Sequence, residues 1–172
     1  ETIKNYHLVN VGENTGLELN FDKSASGETF LKFTFGFADL DNIDGIYQDL
    51  NSVSFNVPEM LGGGYHFMQF DGKYKDIDNQ DASFNYHTIR AVNITNPSNL
   101  IFNDTSFEFE IGTLDLKENT TIEIKMNIAE WFKNPNIWDL NELNTVLMPN
   151  FDAQKMMSTN GRYVFSLGNV TP

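Results

Sequence analysis

Apolar and polar side chains alternate with a period of two along much of this chain. A strand that alternates in this way has one apolar face and one wet face, which is typical of antiparallel sheet. The 15 Phe and 6 Tyr also favour strands, where flat rings pack on a pleated surface. About nine such runs, separated by Asn, Asp and Gly, predict an all-β fold, an antiparallel β-sandwich or open barrel. The clearest runs cover 17–21, 31–37, 53–57, 107–111 and 122–128.

Helix-start and helix-stop residues cluster late in the chain. They predict a short turn over 127–133 and short C-terminal helices over 139–147 and 152–158. The sequence contains no repeat, low-complexity tract or linker. We therefore expect residues 1–172 to form a single β-sandwich domain.

Charge and composition exclude several classes of function. The formal net charge of −13 argues against a nucleic-acid partner and against an anionic membrane surface, whereas a metal ion or basic partner is compatible with it. The absence of Cys excludes disulfides, thiolate metal sites and a cysteine nucleophile. No apolar run approaches the roughly 20 residues that span a bilayer, so we expect no transmembrane segment. The sequence begins at Glu1 rather than Met, so we expect an upstream segment to have been removed.

Two of the three histidines lie about twenty residues apart on neighbouring predicted strands. His66 and Met68 occur in GGGYHFMQFDGKY, and His87 occurs in FNYHTIR. If strand alternation holds, His66 and Met68 share one face, and His87 can fall close to them across a hairpin. Imidazole and thioether together suit Cu(I). The alternative is that the histidines are ordinary hydrogen-bonded sheet residues and that Met68 fills the core.

Longer blocks around these motifs resemble the MbnP-like family. They are YHFMQFDGKY, YHTIRAVN, IEIKMNIAEWFKNPNIWDLN and LMPNFDAQKMMSTNGRYVFSL. The family is related to exported copper-binding proteins of methane-oxidising bacteria. The resemblance implies a β-sandwich at an extracytoplasmic location, whether periplasmic, secreted or lipid-anchored at the outer-membrane surface. It also implies copper, as Cu(I) or Cu(II), and a di-haem peroxidase-like protein as a candidate partner.

The same resemblance implies which residues hold the ion. Two histidines bind Cu(I) in the best-known relatives, and His66 and His87 occupy the corresponding motifs here. In those relatives a tryptophan just before the first histidine is oxidised to kynurenine. Gly64 and Tyr65 stand at that place in this chain, which puts kynurenine formation in doubt and leaves the third ligand open. Met68 is the candidate third ligand on grounds of spacing, not of resemblance.

Other patterns suggest competing ligands. The acidic segments 39–45 and 76–81 resemble calcium loops, although their spacing is not that of an EF-hand. Trp131 and Trp138 flank a Pro-Asn turn, and exposed rings there would make the chain a glycan- or protein-binding module of an exported bacterial lipoprotein, without a metal. Anchoring of that segment to the sheet is the plainer interpretation of these rings. No catalytic motif is present in the sequence, so we expect a binding protein rather than an enzyme.

Overall fold

A computed structural model describes residues 2, 4–21 and 26–171. These residues form an all-β sandwich of antiparallel strands, as the alternation predicts, with eight strands in place of the expected nine or so. The strands are β1 (Gly27–Phe35), β2 (Met68–Lys75), β3 (Asp81–Thr88), β4 (Ala91–Asn93), β5 (Ile101–Asn103), β6 (Phe107–Leu116), β7 (Thr121–Met126) and β8 (Phe165–Thr171). The helices are α1 (Gln48–Ser52), α2 (Phe151–Gly161) and two 3₁₀ helices at Glu59–Leu61 and Ile128–Phe132.

Each strand has one hydrogen-bonded antiparallel partner. β1 pairs with β6, β2 with β3, β4 with β5, and β7 with β8. The β2–β3 hairpin keeps an unbroken register from Met68 opposite Thr88 to Lys75 opposite Asp81. Regular pairing of this kind fixes which side chains share a face, because cross-strand partners point to the same side.

The main core lies where the inner face of the β2–β3 hairpin meets β1, β6 and β8. Trp131, on the second 3₁₀ helix, is fully buried at its centre. Its ring packs on Phe35 of β1 and Tyr86 of β3, with ring centroids 5.3 and 5.9 Å away. Helix α2 covers one side of the cluster through Ala153 and Met157. Aromatic side chains from several strand pairs thus meet in this core, as expected for a sandwich.

Two predicted strands are wrong in detail. Residues 17–21 form no strand, and near them the described chain has only an isolated bridge between Asn10 and Thr15 around a turn. Residues 53–57 likewise contribute one bridge, from Asn56 to Tyr65. The turn that follows α1 accounts for the second difference, since Ser54 has a φ of 59° and cannot continue an extended strand.

The late helices differ from their prediction as well. Residues 139–147 form turns, because the Asp139 carboxylate accepts the backbone and side-chain N–H of Asn141 and offers the backbone an alternative to a helix. The last helix exists, but Asn150 rather than Asp152 caps it, accepting the N–H of Ala153. The turn over 127–133 is confirmed as a 3₁₀ helix capped by Asn127.

Candidate metal centre

A turn of three glycines, shortly before His66 in the chain, positions this histidine. Gly62, Gly63 and Gly64 all have positive φ, between 64° and 89°. At Gly64 a Cβ atom would lie 2.5 Å from the Asn42 side chain, so both the backbone angle and the space require glycine. Asp44 fixes the turn by accepting the N–H of Gly64.

His66 then leaves the path of a regular strand. Its backbone N–H donates to the Phe55 carbonyl at 2.8 Å, whereas the next residue, Phe67, donates to Thr88 of β3. Strand β2 begins only at Met68. The side-chain alternation assumed from the sequence therefore does not run through 66–68, and the prediction that His66 and Met68 share a face does not hold.

The His66 ring is buried, with 5 % of the residue exposed, and is held by the same carbonyl. Its Nδ1 lies 2.9 Å from the Phe55 oxygen, which makes Nδ1 the donor and leaves Nε2 with a lone pair. A backbone carbonyl on one imidazole nitrogen is the usual way to orient the other towards a metal. Burial lowers the pKa of His66, the Phe55 carbonyl opposes this and His87 adds to it, so the ring stays neutral and able to ligate.

His87 lies on the outer face of β3, opposite Gln69 of β2. Its Nε2 is 2.9 Å from Asp71 Oδ1, and within the described part of the chain its Nδ1 has no hydrogen bond. Hydrogen bonds from Asn85 and His87 hold the pKa of Asp71 below its usual value and keep the carboxylate charged. A carboxylate behind a histidine is the arrangement that fixes the tautomer of a metal ligand.

The two rings meet. Their centroids are 5.4 Å apart and their planes are nearly perpendicular, at 82°. Each ring has one nitrogen hydrogen-bonded to a protein oxygen, the Phe55 carbonyl in one case and the Asp71 carboxylate in the other. Of the two remaining nitrogens, Nε2 of His66 lies 3.2 Å from a thioether sulfur. Two imidazole nitrogens suit a metal ion that binds few ligands and accepts nitrogen donors. Within residues 2, 4–21 and 26–171, no group of three or more His, Cys, Asp or Glu side chains could hold a metal.

Met68 lies away from this pair. It is the cross-strand partner of Thr88, so it points to the Tyr86 side of the hairpin and packs on the main core, while His87 points to the other side. The sulfur next to His66 belongs to Met148, whose Sδ is 3.2 Å from His66 Nε2. Sequence reasoning missed Met148 because no spacing rule connects it to His66 across so many residues.

A second residue that sequence reasoning missed is Gln154, on helix α2. Its fully buried amide accepts the N–H of Ile89 and donates to the carbonyls of His87 and Leu147. It thereby ties the end of β3, with His87, to the segment that carries Met148. A polar residue at a helix position facing the core was the available signal, since a buried amide must find partners.

The tryptophans of the glycan alternative are structural. Trp131 is fully buried and Trp138 is 5 % exposed. Trp138 Nε1 donates to the Leu143 carbonyl, and its ring packs on Tyr86 at 4.7 Å between centroids. Neither ring has a face open to a sugar, so these two residues are corrected from ligand-binding candidates to anchors of their segment.

The acidic segments use their oxygens to shape turns. Asp76 Oδ1 accepts the N–H groups of Asp78 and Gln80. In the other segment, Asn42 accepts the N–H of Tyr65 and Asp44 that of Gly64. These bonds account for the residue types without an ion, and calcium stays a prediction.

Comparison with known proteins agrees with the resemblance found in the sequence. A family model described as MbnP matches residues 1–149. The chain belongs to the MbnP family. The match includes both histidines and Met148, while α2 and β8 lie beyond it. Searches of curated proteins and of solved structures gave no match.

Membership in the MbnP family gives a coarse functional statement. The family is linked to copper and to exported proteins. No helix in the described ranges combines the length and apolarity needed to cross a membrane. Which ion the chain takes, and through which atoms, depends on the geometry of its own residues.

Proposed function

We propose that this MbnP-family domain is an extracytoplasmic copper-binding protein that stores or delivers copper rather than catalysing a reaction. His66 and His87 are the ligands. The observation that carries the proposal is the close approach of two imidazoles, with ring centroids 5.4 Å apart, each oriented by a hydrogen bond between one nitrogen and a protein oxygen.

The hydrogen bond that each ring already makes decides which of its nitrogens would bind the ion. His66 would ligate through Nε2, because Nδ1 is engaged by Phe55. His87 would ligate through Nδ1, because Nε2 is engaged by Asp71. Copper bound there is cargo, and the chain contributes neutral donors that are already oriented.

Composition supports the same function. A chain without Cys holds copper through imidazole and thioether, which suits a compartment where thiols are oxidised. The net charge of −13 favours the approach of a cation. A di-haem peroxidase-like partner, implied by the family resemblance, stays a prediction.

The test is a competition titration of the purified domain with Cu(I) and a chromophoric chelator, repeated with Zn(II). We expect copper affinity tighter than about micromolar, which corresponds to about 8 kcal/mol. The double variant His66→Ala/His87→Ala should lose it. Weaker binding by the natural chain, unchanged in the double variant, would reject the site.

Two further variants separate ligation from folding. His66→Asn keeps an N–H for the Phe55 carbonyl, and His87→Gln keeps one for Asp71, yet each lacks the free ring nitrogen. We expect both to fold and to bind copper poorly. The matched control is His7→Ala, because His7 is the third histidine and hydrogen-bonds to Gly16 and Lys4 instead.

A further inference from the structure

The Met148 thioether touches the one free nitrogen of His66. Sδ lies 3.2 Å from Nε2, inside the range of a direct contact. Met148 is half-buried and packs on a second, smaller apolar cluster formed by Val57, Leu61, Ile89 and Val92. The sulfur is therefore held in place by the fold and is not a mobile side chain that happens to lie nearby.

The two neighbours of the His66 ring do not match the hydrogen-bonding groups of a neutral imidazole. A neutral imidazole has one N–H donor and one acceptor nitrogen. Here Nδ1 faces the Phe55 carbonyl oxygen and Nε2 faces a thioether sulfur, and both neighbours are acceptors. The carbonyl is the stronger acceptor, so the ring proton lies on Nδ1, and the lone pairs of Nε2 and Sδ face each other across the 3.2 Å contact.

A positive charge between Nε2 and the sulfur would remove the repulsion between their lone pairs. An imidazolium would do so, but the burial of His66 penalises a charged ring. A metal ion between Nε2 and Sδ would do so with a neutral ring. Metal–nitrogen and metal–sulfur bonds of about 2.0 and 2.3 Å, as at zinc, place two ligand atoms roughly 3 to 4 Å apart, and 3.2 Å falls in that range.

We propose that Met148 is the third ligand of the site and that its thioether makes the site selective for Cu(I) over Zn(II). This inference rests on the proposed function, since it assigns a ligand and a preference to the same two-histidine centre. A thioether is a soft ligand that suits Cu(I), whereas zinc sites are built from imidazole, thiolate and carboxylate. Two imidazoles and one thioether give a low-coordinate set that zinc, which prefers four ligands, accepts poorly.

The experiment compares Met148→Leu with Met68→Leu. Both changes replace a half-buried methionine by an apolar residue of similar size, so packing is disturbed to a similar extent. We expect Met148→Leu to weaken Cu(I) binding by about tenfold or more, the scale on which loss of a supporting group acts at metal sites. Zn(II) affinity should stay the same, and Met68→Leu should bind Cu(I) as the natural chain does.

X-ray absorption of the Cu(I)-loaded domain gives a second readout. We expect one sulfur neighbour at about 2.3 Å that is absent in Met148→Leu and present in Met68→Leu. Natural Cu(I) affinity in Met148→Leu, or spectra without sulfur in the natural chain, would overturn the assignment of Met148. Equal losses in the two leucine variants would overturn it too, because they would point to packing.

These outcomes are distinguishable from failure of the proposed function. If Cu(I) binding depends on both histidines but not on Met148, the copper centre stands and only the third ligand is wrong. If the double histidine variant binds Cu(I) as tightly as the natural chain, the centre itself is wrong, and the Met148 inference falls with it.

Discussion

Individual side chains decide what the candidate centre can bind, and the decisive ones are the partners behind the histidines. Phe55 and Asp71 each engage one nitrogen of a ring, so the ring's orientation and its free nitrogen are set before any ion arrives. The Phe55 partner is a backbone carbonyl, which a substitution does not remove, whereas the Asp71 partner is a side chain and can be replaced. Asp71 is therefore the residue at which preorganisation can be measured.

We predict that Asp71→Asn lowers copper affinity by about 10- to 100-fold, the usual effect of losing a carboxylate behind a ligating histidine. The amide removes the charge that stabilises His87 in one tautomer. Competition titration of copper against a chelator measures the change. Asp81→Asn, in the same hairpin and paired with Lys75, is the control because it removes the same charge. Equal effects of the two substitutions would show that only overall charge matters.

At the scale of elements, helix α2 connects the two parts of the chain that form the candidate centre. Gln154 bonds the carbonyls of His87 and Leu147 and the N–H of Ile89, so one amide connects the end of β3 with the segment before the helix. The strand supplies one imidazole and the segment supplies the thioether. Their relative position thus depends on a helix that contains neither.

Replacing Gln154 by Leu should destabilise the domain by about 2 to 4 kcal/mol, because two buried backbone groups and one partly buried group lose their partner. Copper affinity should fall as well, since Leu147 and His87 are no longer held at a fixed separation. Chemical denaturation and the chelator titration measure the two effects. Gln48→Leu, at an exposed position of helix α1, is the control and should change neither. Unchanged copper affinity in a folded Gln154→Leu would contradict the proposed role of the helix.

At the scale of the whole molecule, sequence periodicity predicted the fold class better than it predicted the site. The alternating runs on β1 and β6 were correct because these strands have one face on the core, whereas the run on β7 alternates only as far as Ile124 and leaves Met126 and Ile128 exposed. The pairing of His66 with His87 followed from neighbouring strands and from the family resemblance. Met68 was misplaced because a local bond from His66 to Phe55 interrupts the alternation, and Met148 was missed because contacts between distant segments leave no periodic trace.

Copper should stabilise the entire domain, since its ligands come from separate parts of the chain. At a free Cu(I) concentration about a thousand times the Kd, we expect about 4 kcal/mol and a rise in Tm of roughly 8 to 16 °C. Calorimetry under anaerobic conditions measures it. His66→Ala/His87→Ala should show no rise. A rise of similar size in that variant would mean that copper acts elsewhere on the chain.

The glycine turn, the Phe55 carbonyl and the end of β3 come together only through tertiary contacts. An unfolded chain would have to close the loops between these segments to gather the same atoms, which costs conformational entropy. If the proposed centre is correct, the chain therefore has to fold before it can bind copper.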